Sequence, residues 1–228
     1  MATSGTTAFN MDFTEIAEEA WERAGSEMRS GYDLRTARRS MNLLTIEWQN
    51  RGINLWTVDS GTVSLTTGTS QYTLPADTVD LLEQAIRTNS GSTSKQSDLS
   101  MSRISVSTYS SIPNKLTRGR PIQVWIERLL SAPRINVWPI PDSNDYTFVY
   151  WRLRRIEDAG SGAETADMNF RFLPCLVSGL AYGIAMKEPE LAPRLQLLKA
   201  EYEAQFELAA GEDREKTSVR FVPRVSRI

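Results

Sequence analysis

Glu15, Glu19 and Glu22 stand three to four residues apart, a spacing that lines carboxylates along one face of a helix. Two carboxylates suffice for glycoside hydrolysis, without histidine. Acids near a helix N-terminus also simply favour the helix dipole. Nothing in the surrounding residues points to a buried pair with separated pKa values, so the structural role is the one expected. Histidine is absent and Cys175 is the single cysteine. That removes His-dependent triads, Cys–His dyads and most zinc sites, so neither a metal nor a cofactor is expected. Cys175 sits in an apolar stretch and reads as core. One thiol also excludes an intrachain disulfide and points to a reducing compartment. Gly160-Ser161-Gly162 is too short for a dinucleotide loop and reads as a linker. Trp21, Trp48, Trp56, Trp125, Trp138 and Trp151 are spread through the chain as core or interface aromatics, not clustered as a sugar platform.

Binding is the chemistry these residues supply more readily. Arg35, Arg38 and Arg39 form a basic face suited to an acidic neighbour; they equally suit a solvated face paired with the acids of the preceding helix. Near the C-terminus, SVRFVPRVSRI (218–228) contains no acid, and Val219, Phe221, Pro223 and Val225 alternate with Arg220, Val222, Arg224 and Ser226. Such a segment can add a strand to a partner's sheet edge, and Pro223, lacking an amide donor, fits an edge position. Val219, Arg220, Phe221, Val222, Arg224 and Val225 are therefore the candidate partner-binding residues. The competing reading is a disordered end, which has no need of so many apolar side chains. The formal net charge of −2 disfavours a tight grip on phosphates. DNA sliding past a neutral or acidic surface, such as the Glu15, Glu18, Glu19 and Glu22 face, stays open.

Hydrophobic residues make up 40% of the 228, enough for one large domain or two small ones. MATSGTTAFN has no basic start and no apolar stretch, so it does not read as a signal peptide. Phe172–Met186 is the longest uncharged, mainly apolar run and falls short of the roughly 20 residues of a membrane span. It reads as a buried central helix.

Asp12-Phe13-Thr14-Glu15 fits a capping box. Phe13, Ile16, Ala17, Ala20, Trp21 and Ala24 then draw one helical stripe, with Gly25 as its stop. A second helix starts near Asp33, carries Leu34, Ala37, Met41, Leu44 and Trp48 as a narrow seam, and ends at Gly52. The first is acidic and the second basic, so an antiparallel hairpin would be electrostatically matched. From Thr57 to Leu74, alternation at Val63 and Leu65, a turn at Gly68 and alternation at Tyr72 and Leu74 predict a β-hairpin. Val79–Arg87 is favoured as a strand, although Leu81, Leu82, Ala85 and Ile86 also suit a helix. Residues 89–97 form a polar loop and Ser102–Ser111 a short helix. Gln123–Leu129, Arg134–Ile140 and Tyr146–Leu153 are strands, and 158–165 a linker. After Pro189, Glu190–Ala210 is amphipathic and Gly211 stops it. The class is α+β: N- and C-terminal helices in a bundle, with an inserted β-rich domain and an extended C-terminal tail. The expected boundaries are 1–57, 58–165, 166–211 and 212–228.

Five segments carry a resemblance. DLRTARRSMNLLTIEWQNRGINLW (33–56) resembles the arginine-rich helix of podovirus head-to-tail adaptors, the tubular tail or tail accessory proteins. SQYTLPADTVDLLEQAIR (70–87) resembles their Tyr-x-Leu-Pro strand and following apolar segment. GRPIQVWIERL (119–129) and RINVWPIPDSNDYTFVYWRLRRIED (134–158) resemble their Gly-x-Pro strand and Trp-Pro-x-Pro hairpin. LVSGLAYGIAMKEPELAPRLQLLKAEYEAQF (176–206) resembles their terminal helices. Each piece alone is weakly specific; their order and spacing carry the likeness. The Ser/Thr-rich 89–97 loop departs from it.

The resemblance implies a structural adaptor without catalytic activity. It implies assembly with copies of itself into a ring, a dodecamer, that docks on the portal protein after packaging. It further implies retention of DNA, passage of double-stranded DNA without specific binding, a platform for tail nozzle or knob proteins, and no membrane. Its place would be the virion's head–tail junction, after synthesis in the bacterial cytoplasm. Arg35, Arg38 and Arg39 become intersubunit candidates and the 218–228 tail the portal-docking arm. The alternative from a different class is a tail-associated cell-wall hydrolase using carboxylates.

Overall fold

The computed structural model describes residues 5, 6 and 9–214, so the C-terminal candidate residues lie outside the described residues. In chain order the elements are α1 (Phe13–Ala24), α2 (Gly31–Asn50), β1 (Val58–Ser64), β2 (Gln71–Thr73), β3 (Thr78–Thr88), β4 (Ser97–Ser100), β5 (Ser102–Arg103), α3 (Val106–Ser110), β6 (Gln123–Glu127), β7 (Arg134–Trp138), β8 (Tyr146–Arg154), α4 (Leu173–Ala185) and α5 (Leu195–Glu212). Helices and segregated antiparallel strands give the α+β class. The chain divides into Met1–Leu55 with Ile156–Ile228, and Trp56–Arg155.

In the helical unit, α1 opens on the anticipated capping box. Asp12 Oδ1 accepts from the Glu15 amide at 2.8 Å, and Glu15 Oε2 accepts from the Asp12 amide at 3.0 Å. Phe13, Ile16, Ala17, Ala20, Trp21 and Ala24 are all buried, and Gly25 stops the helix at φ 95°. The start of α2 lies two residues before Asp33, because Ser30 is the cap and Asp33 closes its box. Ala37, Met41, Leu44 and Trp48 are buried along it. Each large side chain so buried contributes about 1.5–3 kcal/mol. Both helices pack chiefly on α4, which is buried on most sides. The two helices also touch each other, but the charge matching expected between them does not take the form of ion pairs among the described residues. The apolar α4 takes both stripes, and among the described residues no ion pair joins the α1 acids to Arg35, Arg38 or Arg39. Arg23 instead pairs with Glu19 at 2.8 Å and Glu201 at 3.3 Å.

The last helix begins later than the amphipathic pattern suggests. Pro189–Arg194 forms a 3-10 turn containing Pro193, which cannot donate to an α-helical bond. Helix α5 then continues through Gly211 to Glu212, so Gly211 is no stop. The Asp213 carboxylate accepts from the amides of Asn54 at 2.7 Å and Leu55 at 3.1 Å, tying the end of α5 to the residues after α2.

The β unit holds two four-stranded sheets, ordered β1-β8-β3-β4 and β2-β7-β6-β5, antiparallel except for the β5–β6 pair. The predicted hairpin over 57–74 does not form. Strand β1 pairs with β8 in one sheet and β2 with β7 in the other, so the Gly68 turn passes the chain between sheets. The local alternation is right; strand partners are a long-range choice that periodicity does not encode. The uncertain 79–87 segment is strand β3. It forms a hairpin with β4 that the polar loop concealed, closed by Arg87 and Asp98 at 2.7 Å. The short helix shrinks to Val106–Ser110, because Ser102–Arg103 joins a sheet. Strand β6 ends at Glu127 and β7 at Trp138, each two residues before the expected limit. Leu81, Ile86, Phe148 and Tyr150 of one sheet share a core with Val124, Ile126, Ile135 and Val137 of the other. Gly61 makes room for it: a Cβ there would fall 2.4 Å from the Tyr150 hydroxyl. At the rim, Arg152 donates to Asp77 at 2.6 Å, Thr78 Oγ1 at 2.8 Å and Asp59 at 3.2 Å. These bonds clamp β8 to β1 and to the start of β3.

Candidate functional site

The three α2 arginines have separate surroundings. Arg38 is half-buried and donates to the Gly160 carbonyl at 2.8 Å. Arg35 is exposed, its guanidinium 6.0 Å from the Tyr32 ring centre. Arg39 is exposed, with one internal bond of 3.4 Å to Thr36 Oγ1. The fold adds a cation beside Arg39: Lys187, just after α4, donates to Ser40 Oγ at 2.6 Å. Burial lowers the Lys187 pKa, and the Arg39 charge adds to the effect. Sequence reasoning missed Lys187, because only the α2–α4 packing brings it to the α2 face.

Next to this basic shoulder runs an apolar groove between α2 and α4, floored by Leu44, Gly179, Gly183 and Tyr202. Leu43, 66% exposed, and Met186, 58% exposed, stand at its sides with their apolar ends toward water. Gly179 lets the helices meet this closely: a Cβ would lie 2.8 Å from the Tyr202 ring and 2.9 Å from Leu44 Cδ2. Below, Trp48 Nε1 donates to the Tyr202 hydroxyl at 3.1 Å, and that hydroxyl donates to Glu47 at 3.3 Å. Glu47 also pairs with Arg51 at 2.8 Å, and Arg51 stacks over Phe206 at 4.4 Å. Burial raises the Tyr202 pKa, so it stays a neutral donor. The floor is buried and hydrogen-bonded, and Leu43 and Met186 stand exposed beside Ser40, Glu47 and Lys187, a mixture of apolar and polar groups that suits a protein partner.

Two of the three α1 carboxylates serve the fold. Glu15 closes the capping box and Glu19 holds Arg23. Cys175 is buried, and burial pushes its thiol up to about 12, far from a reactive thiolate. Gly160-Ser161-Gly162 is a turn wrapped around the chain's own carboxylate. Glu164 accepts from the Ser161 hydroxyl at 2.7 Å and from the amides of Ser161 at 2.8 Å and Gly162 at 2.9 Å. These bonds, the hydroxyl first, lower its pKa to about 2. The carbonyls of Gly162 and Glu164 take the amides of Thr14 and Phe13 at 3.2 and 3.1 Å, so this supposed linker covers the start of α1. Among the described residues no cluster of three His, Cys, Asp or Glu side chains could hold a metal. No described helix is long and apolar enough to cross a membrane.

An exposed apolar groove beside the exposed arginines Arg35 and Arg39 is the kind of surface by which a protein binds other proteins. The chain's sequence matches the SU10 adaptor protein family over residues 11–227, and the chain belongs to that family. The chain is thus a phage adaptor, a structural component of the virion that associates with other head and tail proteins. No curated protein matches the sequence.

Proposed function

We propose that the chain is the head-to-tail adaptor subunit of a short-tailed phage, that its copies close into a dodecameric ring beneath the portal, and that the ring helps retain DNA and carries the nozzle. Family membership spanning residues 11–227 is the observation that carries this reading. The apolar groove with Leu43 and Met186 on its rim supports it, because exposed apolar surface beside exposed arginines fits a subunit interface. In this reading the groove and Arg35 and Arg39 face a neighbouring copy, while Arg38 acts from behind by holding Gly160. Residues Val219, Arg220, Phe221, Val222, Arg224 and Val225 dock on the portal as an added strand. The N- and C-terminal helices form the scaffold and the β unit the insertion. DNA passes without specific contacts.

Mixing purified subunit with portal rings and weighing the product by native mass spectrometry tests the reading. Stoichiometric addition is expected. Leu43→Asp combined with Arg39→Glu should lower the number of copies per portal and leave the subunit's melting temperature unchanged. Phe221→Asp with Val222→Asp should abolish portal binding. Absence of association overturns the proposal, as does peptidoglycan hydrolysis that disappears on a single Glu→Gln substitution.

A further inference from the structure

Helix α2 turns one unbroken stripe to water. Tyr32, Arg35, Arg39, Leu43, Ile46 and Asn50 are its exposed residues apart from Gly31, and their spacing of three or four keeps them on one side. The stripe is basic in its first half and aliphatic in its second, where Leu43 and Ile46 both stand exposed. Helix α5 has an outward face of different make-up. Leu197, 64% exposed, and Leu208, 67% exposed, lie about three turns apart, with Ala200 and Ala204 between them on the same side. Glu203 and Glu207, one turn apart, run along the margin of this strip. Both are exposed, and neither has an ion-pair partner among the described residues.

Within one copy the two faces point away from each other. The buried sides of α2 and α5 meet where Trp48 donates to the Tyr202 hydroxyl at 3.1 Å. At about 3.6 residues per turn, Trp48 stands half a turn around α2 from Arg39 and Leu43, and Tyr202 nearly as far around α5 from Ala200 and Ala204. A copy therefore cannot cover its own α5 face with its own α2 stripe. Nor does either face suit itself. Two α2 stripes would set Arg35 and Arg39 against the same arginines, and two α5 faces would bring Glu203 and Glu207 together; both are like-charge contacts that specific interfaces avoid. The arginine stripe and the acid margin are instead complementary. Laid antiparallel with Ile46 opposite Leu197, the same offset puts Leu43 over Ala200, Arg39 beside Glu203 and Ala204, Arg35 beside Glu207 and Leu208, and Tyr32 over Gly211. Large side chains meet small ones, and each arginine meets an acid. A parallel pairing that matches Leu43 with Leu208 sets Arg35 beside Lys199.

We propose that adjacent copies of the chain pair through these faces, the α2 stripe of one copy seated antiparallel on the α5 face of the next. The two faces differ and lie on opposite sides of the α2–α5 pair. The contact is thus heterologous, passes from copy to copy, and yields a ring when the rotation per step closes. This pairing rests on the ring reading above and supplies the face that receives Arg35 and Arg39.

Thiol cross-linking between free subunits tests it. Cys175 is buried, so one introduced cysteine reports one surface. Leu43→Cys and Ala200→Cys chains, one of them mass-tagged, are mixed at high concentration with a short bismaleimide, and the products are weighed by mass spectrometry. Mixed dimers should exceed like dimers about tenfold. A chain carrying both cysteines should give a ladder of larger multimers. Glu203→Lys with Glu207→Lys in the Ala200→Cys chain should lower the mixed yield about tenfold, and Arg35→Glu with Arg39→Glu in the Leu43→Cys chain should restore it. Unchanged melting curves show that each variant is folded. Like dimers as abundant as mixed ones, absence of mixed dimers, or a yield indifferent to charge reversal each overturn the pairing. No portal is present, so the two readings fail separately. Portal rings that recruit subunits which give no mixed dimers remove this pairing alone; mixed dimers from subunits that ignore the portal remove the docking reading alone.

Discussion

Glu164 and Gly179 show how one side chain, or its absence, sets local geometry. Folding lowers the Glu164 pKa to about 2 from an ordinary 4.5. A depressed carboxylate stabilises the fold above its unfolded pKa, and that contribution is lost as pH falls toward 2. Glu164→Gln should therefore lower the melting temperature at pH 7, with the gap from the parent closing between pH 4.5 and 2 in a calorimetric series. Gly179→Ala places a methyl against Tyr202 and Leu44, both buried. It should cost about 1–3 kcal/mol in urea unfolding through overpacking. A loss below a few tenths of a kcal/mol would mean that α4 can shift away from α2.

Among the elements, α2 owes its shape to residues adjacent in sequence, while β1 depends on a distant arginine. The capping box and buried stripe of α2 are local. Strand β1 is held to β8 partly by the directly opposed Asp59 and Arg152, and Arg152 also holds Asp77 below its ordinary pKa. Arg152 is 10% exposed in its side chain, but Asp59 and Asp77 are nearly half exposed. Arg152→Met should therefore cost about 2 kcal/mol, less than a fully buried pair would. The deficit should shrink under acid, as Asp77 is protonated and no longer needs a partner. Equal destabilisation at pH 7 and pH 3 would remove the clamp as the explanation. Pro193 explains the late start of α5, whereas Gly211 passes as an ordinary helical residue despite its propensity cost.

At the scale of the whole molecule, function depends on surfaces that intrachain packing leaves open. Leu43 lies on the same helix as Leu44, yet one is at a groove rim and the other in its floor. The substitutions at Leu43 and Arg39 belong to this scale, since their expected effect is on ring stoichiometry and not on folding. Arg35 and Arg39 were legible as a basic face because helical periodicity puts them there. That Arg38 would turn inward to Gly160, and Lys187 would join Arg39, was not, because both depend on residues more than a hundred positions away.

The helical stripes of α1 and α2, the apolar α4, the strand character of most β segments and the family could all be read from residue order alone. Each of these is written in nearest-neighbour pattern, capping chemistry or the order of short motifs. The parting of β1 and β2 into different sheets, the packing of both α1 and α2 mainly on α4, and the arrival of Lys187 at the basic shoulder follow from tertiary packing. Those outcomes are choices among partners of similar local suitability. They are settled by the total apolar area each arrangement buries, a quantity that exists only once the chain is folded.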